Sequence, residues 1–94
     1  MPAYLIGTIT VRDPHVWQAY VAQVGATFSP FNGRVIFRGR KADALSGTAH
    51  GERIVIVEFP DLDSLRRWHE SPQYQVLITL RNQGADVVLT AYGE

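Results

Sequence analysis

The stretch Arg53 to Phe59, Arg-Ile-Val-Ile-Val-Glu-Phe, is apolar on both of its alternating faces for most of its length. Val55, Val57 and Phe59 point one way and Ile54, Ile56 and Glu58 the other, because successive strand side chains alternate across the pleat. A strand with this pattern is stable where both faces are shielded from water. A chain of 94 residues is short for that task, since a domain of this size buries only roughly 60–65% of the surface it exposes when unfolded. Helices cover one face, and something else must cover the other.

The neighbouring segments supply the first cover. Tyr4 to Val11 is rich in β-branched residues and alternates Leu5, Ile9 and Val11 with Tyr4, Ile6, Thr8 and Thr10, which predicts a first strand. Asp13-Pro14 then opens a helix, with Asp as the cap and proline where its missing N–H costs nothing. Trp17, Tyr20, Val21 and Val24 follow at the spacing of one buried helical stripe. Asn32-Gly33 marks a turn, and Val35 and Phe37 alternate with Arg34, Ile36 and Arg38 in a second strand. Gly39 to Glu52 reads as a long mobile connection. After the third strand, Asp61 caps a helix presenting Leu62, Leu65 and Trp68, and Ser71-Pro72 repeats the cap-plus-proline signal, so the second helix is broken in two. Gly84 is a stop signal, and Val87, Leu89 and Ala91 alternate with Val88, Thr90 and Tyr92 in a fourth strand.

The order βαββαβ, with right-handed crossovers, predicts one α+β domain over residues 1–94: a ferredoxin-like, four-stranded antiparallel sheet with both helices on one face. Leu5, Ile9, Val11, Val35, Phe37, Val55, Val57, Phe59, Val87 and Leu89 are expected on the helix side. The opposite face then carries Tyr4, Ile6, Ile36, Ile54, Ile56, Val88 and Tyr92 among Thr8, Thr10, Arg34, Arg38, Glu58 and Thr90. Covering on the order of 300 Å² of apolar area on that face is worth roughly 7 kcal/mol per subunit before association entropy is subtracted. A homodimer with facing sheets is the expected solution.

Nine basic residues balance nine acidic ones and the isoelectric point lies near 6.8, so nothing electrostatic favours nucleic acid or an anionic membrane. The absence of cysteine excludes disulfides, thiolate nucleophiles and Cys-ligated metal. No His or carboxylate grouping has metal-ligand spacing, and no glycine-rich phosphate loop or GxSxG elbow occurs, so no metal or cofactor is expected. The uncharged run from Pro14 to Gly33 is too interrupted by polar residues to be a membrane helix, and the N-terminus lacks signal-peptide features, which makes a cytoplasmic location the default expectation.

Asp13-Pro14 with Tyr20, Gly33-Arg34, Glu58-Phe59-Pro60, Trp68 and Ser71-Pro72-Gln73-Tyr74-Gln75 together resemble the domain-of-unknown-function family DUF1330, within the dimeric α+β barrel group. The likeness runs over nearly the whole chain. Gln73 stands where that family often has Glu. The resemblance implies a ferredoxin-like fold and a dimeric barrel and no established reaction. Related barrels include cofactor-free monooxygenases, isomerases, haem-handling enzymes and simple ligand-binding domains.

The candidate site residues follow from the mixed strand face and the aromatic clusters. Glu58 points among Ile54 and Ile56, where a carboxylate must be paired, protonated or solvated; Arg34 or Arg38 on the neighbouring strand is its expected partner. Glu58 is therefore either a base or ligand-orienting group, or half of an ion pair that fixes dimer register. His69, after Trp68, is either an acid–base group or a helix-end histidine. Tyr4 and Tyr92 are candidate pocket residues on the strand face, while Trp17, Tyr20, Trp68 and Tyr74 either line a pocket for a planar ligand or fill the core. His15 and His50 read as surface residues. The leading expectation is a small apolar or weakly anionic ligand held between sheet and helices by Arg38, Glu58 and His69, bound or transformed without a cofactor. The alternative is a binding or assembly module in which these groups only lock the interface.

Overall fold

A computed structural model describes residues 1–94. Strand β1 (Ala3–Val11) leads to α1 (Pro14–Phe28), whose first turn is closed by Asp13: its carboxylate accepts from the backbone N–H of His15 at 3.1 Å and Val16 at 3.2 Å. A 3-10 turn over Ser29–Phe31 ends at Asn32 in the left-handed conformation, with φ of 57°. Strands β2 (Arg34–Arg40) and β3 (Arg53–Phe59) follow, then α2 (Leu62–Glu70), α3 (Pro72–Gln75), α4 (Ile78–Gly84) and β4 (Ala85–Tyr92). Asp61 caps α2 by accepting from Ser64 N at 2.7 Å, and Ser71 caps α3 by accepting from Tyr74 N at 3.3 Å. The second helical region thus has three pieces rather than two. The extra break falls at Val76–Leu77, where Leu77 is buried along with Tyr74 and Val76 is exposed.

The four strands are antiparallel in the order β2-β3-β1-β4, as the interleaved βαβ pattern requires. Leu5, Ile9, Val57 and Phe59 are buried under the helices, in line with their parity. Trp68 and Tyr74 are fully enclosed, with ring centroids 4.2 Å apart; Phe59 and Phe28 lie 5.7 Å and 5.2 Å from Trp68. Because a buried indole N–H needs an acceptor, Thr27 provides one: Trp68 Nε1 donates to Thr27 Oγ1 at 2.9 Å, and that hydroxyl donates to Val24 O at 2.6 Å.

One expectation fails in β2. The pairing with β3 runs Arg34 to Glu58 and Val35 to Val57, then slips so that Phe37, not Ile36, faces Ile56 and Arg38 faces Val55. This bulge inserts one residue, and every side chain beyond it changes sides. Phe37, expected beneath the helices, is instead 53% exposed on the outer face, where its ring lies over Gly39. Strict alternation cannot reveal such an insertion.

The chain between β2 and β3 is shorter as a loop than expected, residues 41–52, and it is tied back. Lys41 N donates to Glu52 O at 2.7 Å, Lys41 Nζ to Ala49 O at 3.1 Å, and Glu52 N to Ile9 O at 2.9 Å.

At the same end of the sheet, α4 meets α1 at Gly84. Its carbonyl accepts from Arg12 N and Asp13 N at 2.9 and 3.0 Å. A Cβ there would meet Trp17 N at 2.8 Å and Trp17 Cα at 2.9 Å, backbone atoms with no rotamer to escape into. Gly84→Ala is therefore expected to lower stability by about 1–3 kcal/mol in urea denaturation. Gly25→Ala, with nothing within 4 Å of its new methyl group, should raise it by about 0.5–1 kcal/mol. Equal effects of the two would refute the close crossing.

Candidate functional site

The helix-side face of the sheet does not close completely on α1. A cavity of about 380 Å³ lies between them, walled largely by hydrocarbon from Leu5, Ile9, Val24, Val35, Val57 and Leu89. Interiors normally leave few voids larger than a water molecule. At about 24 cal/mol per Å³, a sealed empty space of 380 Å³ would cost on the order of 9 kcal/mol, comparable with the whole stability of a small domain. The cavity lining includes the exposed residues Arg38 and Arg40, which places an opening at the β2 edge, and the space has the volume of a small-molecule site.

Three arginines stand at that edge. The bulge that exposes Phe37 turns Arg38 inward, and Arg40 and Arg53, which are direct register partners on β2 and β3, line the same cavity. Like charges directly opposite in a ladder repel. None of the three takes part in an ion pair or a side-chain hydrogen bond; those go to Arg12, Arg34, Arg67 and Arg81. A molecule with balanced formal charge thus concentrates cations at the mouth of its one large apolar cavity.

Glu58 is not part of this cavity. Its partner is Arg34, whose Nε and NH2 both reach Glu58 Oε1, at 3.1 and 2.8 Å. Arg38, the other expected partner, lies on the opposite side of the sheet because of the bulge. The register aligns Tyr92, Tyr4, Glu58 and Arg34 in one row across all four strands on the outer face. Arg34 first, and then Tyr4, hydrogen-bonds to the carboxylate and holds Glu58 below the usual carboxylate range; the same neighbour raises Tyr4 above the usual phenol range. The next row is Thr90, Ile6, Ile56 and Phe37, so the outer face beside the ion pair is mostly apolar.

The remaining expected residues divide between wall, core and surface. Trp68 contributes to the cavity wall, and Tyr74 is sealed behind it. His69 lies in a separate shallow depression with Leu65, Arg66 and Glu70, so Arg38, Glu58 and His69 are not brought together. His50 is more than a surface loop residue. Its Nδ1 is 2.8 Å from Thr8 Oγ1 and its Nε2 is 3.1 Å from Asp86 Oδ2, pinning the 41–52 loop to the outer face at the β1–β4 end. Its partners are 42 and 36 residues away, which no local spacing signals. Arg40, Arg53 and Gln18, also at the cavity, were equally invisible without the β2–β3 register. No three His, Cys, Asp or Glu side chains converge as a metal-holding set, and no helix is long and apolar enough to cross a membrane.

Fold and cavity together define a ferredoxin-like α+β protein with an apolar pocket between sheet and helix. The chain belongs to the domain-of-unknown-function family DUF1330, which matches residues 2–92. Among solved structures, a protein of unknown function from Rhodopseudomonas palustris superposes with a TM-score of 0.80 at 19% identity, over 99% of this chain and 82% of that one. SnoaB, a cofactor-independent oxygenase from Streptomyces nogalater, gives 0.71 at 15% identity, over 99% and 92% of the two chains. A dimeric ferredoxin-like protein of unknown function from Jannaschia sp. CCS1 gives 0.66 at 9% identity, over the whole of both chains. No curated protein matches.

The Glu58 pair has a pH signature. A carboxyl group held below its ordinary value of 4.5 in the folded chain contributes stability that is complete above that value and is lost as pH falls through the depressed one. The melting temperature of the unmodified protein should therefore fall more steeply below pH 4.5 than that of Glu58→Gln. Asp61, depressed by its bond to Ser64, is common to both proteins and cancels in the comparison. Parallel melting curves from pH 7 to about pH 3 would show that the pair contributes nothing.

Proposed function

We propose that this chain is a homodimeric small-molecule binding protein whose cavity takes a largely apolar ligand with an anionic group set against Arg38, Arg40 and Arg53. The observation that carries the reading is the placement of three cations without ion-pair partners at the mouth of an apolar space. Repulsion between Arg40 and Arg53 is relieved when an anion lies between them, so binding and the local electrostatics favour each other. The expected class is a carboxylate, sulfonate or enolate on a ring-sized hydrocarbon body. SnoaB acts without a cofactor on a similar backbone, which is compatible with side chains alone handling such a ligand here; at that identity the likeness carries fold and no chemistry, and binding rather than turnover is the function proposed.

The probe 8-anilinonaphthalene-1-sulfonate tests this. It should bind with a fluorescence rise, and Arg38→Gln combined with Arg53→Gln should weaken it by about tenfold or more, since a charge-assisted hydrogen bond is worth roughly 1.5–3 kcal/mol. The neutral analogue N-phenyl-1-naphthylamine should be little affected. Unchanged sulfonate affinity in the double variant would dismiss the anion site.

The outer face closes the homodimer in this reading. Ile54, Ile56, Phe37 and Val88 are too contiguous for a solvated sheet back, and two solved proteins of this fold are described as dimeric. Tyr4, Tyr92 and the Arg34–Glu58 pair then fix register, which supports the assembly role of Glu58 over the catalytic one. Sedimentation at micromolar concentration should give twice the 10.5 kDa chain mass, and Ile56→Lys should give the single chain. A protein that sediments as 10.5 kDa without substitution would remove the dimer.

A further inference from the structure

A second polar feature lies in the cavity wall, away from the arginines. Tyr20 of α1 and Tyr74 of α3 have hydroxyl oxygens 3.1 Å apart, and Arg81 NH1 donates to Tyr74 Oη at 2.8 Å. Tyr74 is completely buried and Tyr20 nearly so. The direction of this chain follows from the chemistry of its members. A guanidinium only donates, so Tyr74 Oη accepts from Arg81. The proton of Tyr74 is sealed in the core and has one acceptor in reach, Tyr20 Oη. The sequence of donation is therefore Arg81 to Tyr74 to Tyr20, and the proton of Tyr20 is left without an acceptor in the protein. The reverse order would strand the Tyr74 proton where neither water nor ligand reaches it.

Tyr20 is a wall residue of the cavity; Tyr74 and Arg81 are not. We propose that the Tyr20 hydroxyl is a fixed hydrogen-bond donor to the ligand, and that Tyr74 and Arg81 are positioning residues that set its direction. Burial, and then Tyr74, hold the Tyr20 phenol far above its ordinary value, so it keeps its proton throughout the accessible pH range. The arginines stand on β2 and β3, whereas the Tyr20 hydroxyl reaches toward α3. The ligand class is thereby narrowed to a flat hydrocarbon body with an anionic group at one end and an acceptor oxygen, such as a ketone carbonyl, at the other. Trp17, whose ring stacks on Tyr20 with centroids 5.0 Å apart, offers such a body an aromatic surface beside the donor. This inference rests on the proposed cavity function and adds the second recognition point.

Two probes separate the two ideas: 2-naphthoate, which has only the anionic end, and 6-acetyl-2-naphthoate, which adds a carbonyl, each titrated calorimetrically. The unmodified protein should bind the acetyl compound about tenfold more tightly. Tyr20→Phe should erase that preference and leave 2-naphthoate unchanged; Tyr74→Phe should reduce the preference by disordering the donor. Equal affinities for both probes in the unmodified protein, or a preference that survives Tyr20→Phe, would overturn the donor role while leaving the arginine site standing. Binding of neither probe would overturn the cavity reading and this inference with it. Should the phenylalanine variants not fold, the infrared carbonyl stretch of the bound acetyl probe decides the matter in the unmodified protein. A stretch lowered from its position in hydrocarbon supports the bond, and an unshifted one rejects it.

Discussion

The bulge between Val35 and Phe37 controls how the two faces of the sheet are used. Before it, Arg34 stands on the outer face and pairs with Glu58. After it, Phe37 takes the outer face and Arg38 the inner one. One inserted residue thereby adds an aromatic side chain to the exposed apolar surface and a cation to the cavity mouth. With regular alternation the same sequence would turn Phe37 toward the helices and would place Arg38 on the outer face, opposite Ile54. The outward turn of Phe37 and the inward turn of Arg38 and Arg40 toward the cavity are consequences of one register shift in an edge strand.

Edge position is what makes that shift tolerable. β2 has one hydrogen-bonded neighbour, so a displaced residue disrupts a single ladder, whereas a bulge in the interior strands β1 or β3 would break two. The opposite side of the molecule is built for rigidity. Trp68, Phe59, Phe28 and Tyr74 interlock there, and each buried polar atom finds a partner through Thr27, Ser71 and the tyrosine pair. The molecule thus combines a stiff aromatic half with a half that stays open between α1 and the β2–β3 edge. The pinned 41–52 loop holds the second half in shape by fastening the ends of β2 and β3 to β1 and β4.

Charge follows the same division. The balanced totals conceal a local asymmetry, because Glu58 is spent on Arg34 at the outer face and Asp86 on His50, while Arg38, Arg40 and Arg53 keep no acidic partner at the inner mouth. Net charge governs long-range association, and it is silent about local fields of this kind.

The amino-acid sequence by itself determined the element order, the caps at Asp13, Asp61 and Ser71, the antiparallel topology, most of the core and the family, because these rest on short-range spacing and on the period of apolar residues. It also marked Glu58 as a carboxylate in need of a partner and the outer face as rich in apolar residues. Tertiary structure alone decided which arginine that partner is, which side Phe37 and Arg38 occupy, that His50 spans two strands, and that Arg81, Tyr74 and Tyr20 join in one hydrogen-bonded chain. Each of these depends on the register between segments far apart in the chain. Register is set by the energy of the whole packed sheet, and one bulge changes it without altering any local pattern.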